Sequence, residues 1–274
     1  MGKAFTMSNN LYIVPYDFTP VSDKAVQYAL FLGGHIATEI RLVHFTTDNV
    51  KAIKSTKEFE KVKERLNIPS TVVVSTQVKV GDVFSDLGKI AKKEKAQLIV
   101  MGTHGMRGFQ RVSGSYAMKV VTSAEIPFLV VQKNTEIKEV ENIVVPVDLT
   151  KESLQIVSIA GDMSKIFKSK VHVLAEEQYD EMLSTRIKIR IGIVSKEYEE
   201  RSINAKVNFL NSSGAYGKKI INYVKENNGG LIAIAYHSES LLPQFDSFAQ
   251  DLITNKLGLP VLIVNSKLAS SLYF

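Results

Sequence analysis

The chain has 274 residues, with 34 lysines and arginines against 28 aspartates and glutamates, and a formal net charge of +6. It contains no cysteine, which excludes disulfides, cysteine-ligated metals and thiol catalysis. The basic residues are scattered, no apolar run is long enough to cross a membrane, and no secretory signal is visible. We therefore expect a cytoplasmic protein that binds neither nucleic acid nor a membrane.

Strand and helix patterns alternate along the first half of the chain. Apolar runs predict strands at residues 11–16, 39–45, 72–80, 96–100 and 126–131. Amphipathic or charged segments predict helices at residues 21–35, 50–66, 83–94 and from 115 onward. Thr19 followed by Pro20 is typical of a helix start. Because strands alternate with helices, we expect right-handed crossovers and a parallel sheet.

The same pattern begins again near residue 142. Asp148 follows its strand as Asp17 follows the first strand, at a separation of 148 − 17 = 131 residues. Three later pairs share a separation of 133 residues: Gly81 and Gly214, His104 and His237, and Pro127 and Pro260. The chain is therefore predicted to be a tandem duplication, with domains at residues 1–137 and 138–274.

The stretch most informative about function is residues 101–115, which follows the fourth predicted strand and leads into a helix. It carries Gly102, Gly105, Gly108, Gly114 and Ser115. Glycines let the main chain approach an anion closely, and the N–H groups of a helix start converge on that anion. The stretch therefore predicts a phosphate-binding loop, in which Ser115 caps the helix or bonds a phosphate oxygen.

The second half is an internal control for this loop. At a separation of 133 residues the equivalents are Ala235, Ser238, Leu241, Ser247 and Phe248, so every glycine is lost. If the glycines only turned the chain, the second copy would be expected to keep some of them. We therefore predict that the first half binds an anion and that the second half does not.

Together these residues resemble the universal stress protein family. Residues 14–17 resemble the end of its first strand, and residues 43–45 resemble the end of its second. Its nucleotide-binding signature, Gly-x2-Gly-x9-Gly-Ser/Thr, resembles residues 102–115, although eight residues rather than nine separate Gly105 from Gly114. The resemblance covers essentially the whole chain as two copies.

The resemblance implies an α/β fold of two tandem open parallel five-stranded sheets with helices on both faces, Rossmann-like and similar to adenine nucleotide α-hydrolases. It implies that ATP, with or without Mg, binds only in the N-terminal domain, at the carboxyl ends of the strands. Asp17 would lie near the adenine and ribose, and Phe45 would offer its main chain to the adenine. The candidate nucleotide-binding residues are Pro15, Tyr16, Asp17, Phe45, Gly102, Thr103, His104, Gly105, Arg107, Gly114, Ser115 and Tyr116.

Some of these residues have a second interpretation. Asp148 persists in the copy that lost its glycines, so Asp17 can serve chiefly as the cap of a strand-to-helix turn. His104 and His237 share one position, which favours a structural role over catalysis or metal binding. Arg107 and Arg111 either pair with phosphate or lie on the surface. No nucleophile elbow, P-loop lysine or metal-ligand set is present, so we expect no catalytic residue.

The resemblance implies a cytoplasmic stress-response protein whose interactions with other proteins are tuned by ATP. Related domains associate through their last strands, so residues 128–131 and 261–264 are the predicted contact between the halves. Further association into a homodimer is expected. Two alternatives remain, a nucleotide-free interaction scaffold and a slow ATP-hydrolysing or adenylating enzyme.

Overall fold

The computed structural model describes residues 10–103, 113–150, 152–236 and 247–266. The first half contains, in chain order, β1 (Leu11–Pro15), α1 (Pro20–His35), β2 (Thr38–Thr46), α2 (Asn49–Arg65), β3 (Val72–Val80), α3 (Val83–Lys93), β4 (Leu98–Thr103), α4 (Ser113–Val121) and β5 (Phe128–Gln132). These elements confirm the strands and helices predicted from the sequence, with boundaries shifted by a few residues.

The second half repeats this order of elements. It contains β6 (Asn142–Pro146), a 3₁₀ turn (Glu152–Leu154), α5 (Gln155–Phe167), β7 (Lys170–Glu176), α6 (Glu181–Glu200), β8 (Ala205–Leu210), α7 (Tyr216–Glu226), β9 (Gly229–Tyr236), α8 (Ser247–Ile253) and β10 (Val261–Asn265). The helices α3 and α7 are both 11 residues long and begin 133 residues apart. None of the helices within the described ranges is long and apolar enough to cross a bilayer.

The ten strands of the described residues form one continuous sheet, in the order β3-β2-β1-β4-β5-β10-β9-β6-β7-β8. Within each half the five strands are parallel. The halves join where β5 and β10 pair antiparallel, with Leu129 opposite Leu262 and Val130 opposite Val261. The predicted contact between the two last strands is confirmed.

Helices cover both faces of this sheet, as expected. The buried side chains of α1, α2, α5 and α6 belong to one apolar core, and those of α3, α4, α7 and α8 belong to the other. Phe31 and Phe167 stack across the junction with ring centroids 5.7 Å apart. On the other face, the Asn265 side-chain amide donates to the Thr122 carbonyl at 3.1 Å. Both cores therefore continue across the junction of the halves.

The connection between the halves, residues 133–141, is bonded to both of them. The Thr135 hydroxyl donates to the Gly258 carbonyl at 2.7 Å, and Val140 is buried in the core shared by α1 and α5. His35 on α1 lies 3.6 Å from a Glu139 carboxylate oxygen. The predicted domain boundary at residue 137 falls within this segment and stays a prediction.

The first helix shows how local sequence places its start beside the strand ends. The Thr19 hydroxyl accepts from the Ser22 amide, and the Ser22 hydroxyl accepts from the Thr19 amide, which is a capping box. Pro20 occupies the first helical position, where no N–H is needed. Asp48 and Asp82 cap α2 and α3 in the same way, each through its side chain. The starts of these helices therefore meet the carboxyl ends of β1, β2 and β3.

The order of strands opens a crevice beside β1. The chain runs outward from β1 to β2 and β3, then returns to the other side of β1 to form β4 and β5. The connection that follows β1 and the connection that follows β4 cross opposite faces of the sheet, because both crossovers are right-handed. Open α/β sheets bind ligands at such a reversal, so the crevice between the loops after β1 and β4 is where a site is expected.

A buried histidine in the second half makes the stability of the fold depend on pH. His172 on β7 is buried, and its Nδ1 lies 3.2 Å from the Tyr223 hydroxyl. Burial, with smaller contributions from Lys206 and Lys170, lowers the pKa of His172 to about 4 from its ordinary 6.5. The unfolded chain therefore binds a proton between pH 6.5 and 4 that the folded chain does not.

We expect the free energy of unfolding to fall as the pH is lowered from 6.5 to 4, because protonation of His172 favours the unfolded chain. Urea denaturation across this range should show a shallower pH dependence in His172→Asn, which cannot titrate there. An identical pH dependence in both proteins would contradict the assignment to His172.

Candidate functional site

A cavity of about 280 Å³ lies in the predicted crevice, at the carboxyl ends of β1, β2 and β4 and beside the turn that follows β3. Its walls are formed by residues at the carboxyl ends of β1, β2 and β4, at the starts of α1 and α3, and on α4. They are Pro15, Tyr16, Asp17, Val21, Ser22, Val43, His44, Phe45, Thr46, Thr47, Gly81, Asp82, Val83, Met101, Gly102 and Tyr116. Six of the twelve candidate residues from the sequence are thus brought together around one cavity.

Asp17 caps the turn after β1 with one carboxylate oxygen and leaves the other oxygen out of that cap. Its Oδ1 accepts from the Thr19 hydroxyl at 2.5 Å and from the Thr19 amide at 3.2 Å. In the second half, Asp148 accepts from Thr150 through the same two groups, at 2.5 and 2.7 Å. The capping interpretation therefore applies to both copies. The carboxylate of Asp17 is exposed at the cavity, and its Oδ2 takes no part in these bonds.

The main chain of Phe45 faces the cavity because β2 extends beyond β1. The last bond between the two strands runs from the Tyr16 amide to the Val43 carbonyl, at 2.9 Å. In a parallel strand every second residue directs its N–H and C=O to the same neighbour, so Phe45 points to the β1 side as Val43 does. Thr46 points the other way, accepting from the Gly81 amide at 3.0 Å. The amide and carbonyl of Phe45 thus face the cavity without a strand partner.

Tyr16 lines the cavity only with its main chain. Its side chain is buried on the α1 and α2 side, where the hydroxyl donates to Asp23 at 2.5 Å and accepts from Arg65 at 2.8 Å. Its carbonyl accepts from His44 Nδ1 at 2.8 Å, which sets the tautomer of that ring. Burial and the Asp23 carboxylate raise the pKa of Tyr16. Each polar group of Tyr16 already has a partner, so Tyr16 supports the site rather than offering a bond.

Tyr116 and Asp82 lie at the mouth of the cavity. Tyr116 on α4 packs edge-on against Phe84 with ring centroids 4.7 Å apart. Burial and then the carboxylates of Asp17 and Asp82 raise the pKa of Tyr116, so its hydroxyl stays protonated and can donate. The sequence pattern predicted a helix from residue 83 and gave Asp82 no role in the site. An acid two residues after a strand, as Asp17 is after β1, was the signal that could have added Asp82 to the site.

Gly102 is required by packing. A Cβ atom at this position would lie 2.4 Å from the carbonyl oxygen of Val21, in the first turn of α1. Glycine therefore allows α1 to approach β4, and this glycine by itself is no sign of a phosphate. Thr103 is buried in β4 and does not line the cavity.

The remaining candidates bear on the phosphate-binding part of the prediction. His104, Gly105, Arg107, Gly108 and Arg111 lie outside the described residues. Gly114 and Ser115 fall in the first turn of α4, which begins at Ser113 rather than at Ser115. The predicted placement of a helix start after the glycine-containing stretch is therefore confirmed for the backbone.

The equivalent place in the second half is filled by a side chain. Tyr216 is the first residue of α7, the position that Val83 holds in α3. Its hydroxyl donates at 3.0 Å to the carbonyl of Leu174, the counterpart of Val43. Its ring stacks on Phe248 at 6.1 Å with an interplanar angle of 7°. The phenol of Tyr216 thus lies between the ends of β6 and β7, where the first half is open.

Charged side chains also occupy the crevice of the second half. Lys219 pairs with Glu176, the counterpart of Phe45, and its ammonium also donates to the Asn211 carbonyl at 2.5 Å. The carboxylates of Asp148 and Glu176 add to burial in raising the pKa of Tyr216. The two halves therefore differ at this crevice as well as at the glycine stretch, a difference that the sequence comparison did not reveal.

A larger cavity of about 450 Å³ lies between the connection at residues 136–141 and the loops before β9 and β10. Glu136, Glu139 and Glu141 line it together with Lys138 and Lys225. Three carboxylates against two ammonium groups disfavour a polyphosphate there. No group of three or more His, Asp or Glu side chains in the described ranges is arranged to share a metal ion.

The close approach at Gly102 yields a test of the local packing. We expect Gly102→Ala to lower the free energy of unfolding by about 1–3 kcal/mol, since the new methyl group overpacks against the Val21 main chain. Gly34→Ala is the matched control, because nothing lies within 4 Å of a Cβ there. In the helix α1 that control should stabilise by about 0.5–1 kcal/mol. Urea denaturation measures both, and equal effects would contradict the packing account.

Comparison with known proteins agrees with this geometry. Residues 12–132 match the model of the universal stress protein family. Universal stress protein MJ0531 of Methanocaldococcus jannaschii is 27% identical over 143 residues, which cover 45% of this chain and 84% of that protein. The match therefore spans most of that relative and about half of this chain.

Solved structures resemble both halves together. A universal stress protein from Archaeoglobus fulgidus DSM 4304 matches with a TM-score of 0.70 and 17% identity, covering 96% of this chain and 100% of that one. A functionally unknown protein from Pseudomonas aeruginosa PAO1, PA1789, matches with a TM-score of 0.60 and 14% identity, covering 97% and 96%. These likenesses show the fold. The match at residues 12–132 identifies that part of the chain, the first half, as a universal stress protein domain.

Proposed function

We propose that the chain binds one ATP molecule in the cavity of its N-terminal half and acts as a nucleotide-tuned interaction protein in the cytoplasmic stress response. The observation that carries this proposal is the contrast between the two copies. The first half keeps an open cavity at the reversal of strand order, whereas Tyr216 fills the same place in the second half. One nucleotide per chain is the expected stoichiometry.

The inner part of the cavity suits an adenine ring. Its walls include the apolar side chains of Val21, Val43, Val83 and Met101. The free amide and carbonyl of Phe45 supply a donor and an acceptor side by side, which match the acceptor N1 and the donor N6 of adenine. A volume of about 280 Å³ is near the lower end of small-molecule sites, which run from about 300 Å³ upward. It suits a base and sugar rather than a whole ATP.

The mouth of the cavity suits a ribose. The carboxylates of Asp17 and Asp82 can accept from sugar hydroxyls, and the Tyr116 hydroxyl can donate. The same two carboxylates repel phosphate, so the triphosphate would be directed away from them toward the start of α4. The N-terminal end of a helix favours a phosphate through its free N–H groups and dipole. Mg bound with the ATP would take its ligands mainly from phosphate oxygens and water.

The regulatory part of the proposal follows from where the phosphates would lie. They would contact the segment between β4 and α4, so a chain with ATP and a chain without it would present different surfaces there. A partner that binds one of these two states better would shift the equilibrium between them. The alternatives are a scaffold that binds no nucleotide and an enzyme that slowly hydrolyses ATP or transfers adenylate.

The filled site of the second half indicates how to close the first. We expect Val83→Tyr to weaken ATP binding by roughly 100-fold or more, since a phenol at the first position of α3 would occupy the space between the ends of β1 and β2. Isothermal titration calorimetry measures the affinity and stoichiometry. Val73→Tyr, an equal change at an exposed position of β3, should leave both unchanged.

Denaturation of the purified chain followed by chromatography identifies any nucleotide it carries. About one ATP, ADP or AMP per chain is expected from one open site. Two nucleotides per chain, or full affinity in Val83→Tyr, would contradict the site assignment. A wild-type chain without affinity for adenine nucleotides would favour the scaffold, and product formation in a single turnover would favour the enzyme.

A further inference from the structure

Two carboxylates line the cavity of the first half, and each uses only one of its oxygens within the chain. Asp17 accepts from Thr19 through Oδ1. Asp82 accepts from the Ser85 amide through Oδ2 at 3.1 Å, which caps α3. Among the described residues, no hydrogen bond or ion pair engages Asp17 Oδ2 or Asp82 Oδ1. Two carboxylate oxygens at one cavity are therefore left to accept from a ligand.

No basic side chain of the described residues neutralises these carboxylates within the cavity. The lining contains neither lysine nor arginine. Lys119, one turn along α4 from Tyr116, lies over the Phe84 ring at 4.0 Å rather than in the lining. After burial, the charges of Asp17 and Asp82 raise the pKa of Tyr116, so both act at the same point of the mouth. A ligand group with a further negative charge is repelled there.

The second half has kept one of the two carboxylates and lost the other. Asp148 makes the same two bonds to Thr150 that Asp17 makes in the first half. At a separation of 133 residues, Asp82 corresponds to Ala215, and α7 begins without a side-chain cap. The helices α3 and α7 are nevertheless both 11 residues long. The fold therefore forms this helix without an acid at its start, and the acid is present in the half whose cavity is open.

The position of Asp82 is fixed by bonds on both sides of its Cα atom. The Asp86 side chain accepts from the Asp82 amide at 3.1 Å, and Asp86 pairs in turn with Lys89. The Ser85 amide holds Oδ2 of Asp82 in place. The carboxylate is thus oriented before a ligand arrives, so that binding loses little side-chain entropy.

A ribose with free hydroxyls suits a carboxylate, whereas a ribose phosphate does not. Each free 2′ or 3′ hydroxyl can donate a hydrogen bond to a carboxylate oxygen, and such charge-assisted bonds are strong. A phosphate on either oxygen removes that donor and brings about −1.5 to −2 charges against the carboxylate. In dinucleotide-binding folds an acid beside the ribose selects the unphosphorylated sugar for this reason.

We propose that Asp82 makes the cavity specific for a ribose with free 2′ and 3′ hydroxyls and excludes nucleotides that carry a phosphate on either oxygen, a 3′,5′-cyclic phosphate included. The inference rests on the proposed function, in which an adenine nucleotide occupies this cavity. Asp17 has a counterpart in both halves, so Asp82 is the acid that the open site adds. A phosphate on the 5′ oxygen is accepted, because it is directed toward the start of α4.

The three isomers of adenosine monophosphate test the exclusion, because they differ only in the ribose oxygen that carries the phosphate. Isothermal titration calorimetry compares each isomer with adenosine. The 2′ and 3′ isomers and cyclic AMP should bind at least about tenfold more weakly than adenosine, because their phosphate meets the carboxylate of Asp82. The 5′ isomer should bind at least as tightly as adenosine. Binding of the 2′ and 3′ isomers as tight as that of adenosine would overturn the exclusion.

Asp82→Asn tests the residue itself, because asparagine can cap α3 as aspartate does but carries no charge. The affinity for the 3′ isomer should rise at least about tenfold, toward that of adenosine. Asp48→Asn is the matched control: Asp48 caps α2 by accepting from the Lys51 amide at 2.8 Å and does not line the cavity. It should keep the selectivity of the wild type. Thermal unfolding checks that both variants fold.

Unchanged selectivity in Asp82→Asn, or the same loss of selectivity in Asp48→Asn, would overturn the role of Asp82. If adenosine binds with no preference among the isomers, the nucleotide site stands and this inference alone fails. If neither adenosine nor ATP binds, the proposed function fails, and the inference fails with it. Where ATP binds but adenosine does not, ATP and ATP phosphorylated on the 3′ oxygen provide the same comparison.

Discussion

The site depends on a difference in length between two neighbouring strands. β1 ends at Pro15 and its last bond to β2 is made by the Tyr16 amide, while β2 runs on to Thr46. Within the described residues, the amide and carbonyl of Phe45 therefore have no partner in β1, beside the turn that Asp17 caps. The cavity that this end of β2 lines is also lined by the start of α1 and by Tyr116. The same difference recurs in the second half, where β6 ends at Pro146.

The duplication separates what the fold needs from what the site needs. The Asp-x-Thr cap occurs in both halves, with the same bonds at Asp17 and Asp148, so it belongs to the architecture. The third helix of each half begins with a different residue, Val83 in α3 and Tyr216 in α7. This side chain decides whether the crevice is open. The outward face of the second helix differs too, with lysines on α2 and isoleucines on α6.

Sequence patterns predicted the architecture well because it rests on local signals repeated twice. The apolar runs, the capped helix starts and the 133-residue separations predicted the alternation of elements, and the last strands were predicted as the contact of the halves. The pattern did not predict that this contact would merge two sheets into one of ten strands. Strand pairing depends on the alignment of residues far apart in sequence, such as Leu129 and Leu262.

The sequence by itself determined the duplication, the parallel βα order and the difference between the halves at the glycine-containing stretch, because each is a property of residues close together or of a repeated spacing. Tertiary structure alone decided that Gly102 makes room for Val21, that Tyr16 points away from the cavity, and that Tyr216 fills the second crevice. Those facts depend on side-chain direction and on contacts between elements distant in the chain, which periodicity does not encode.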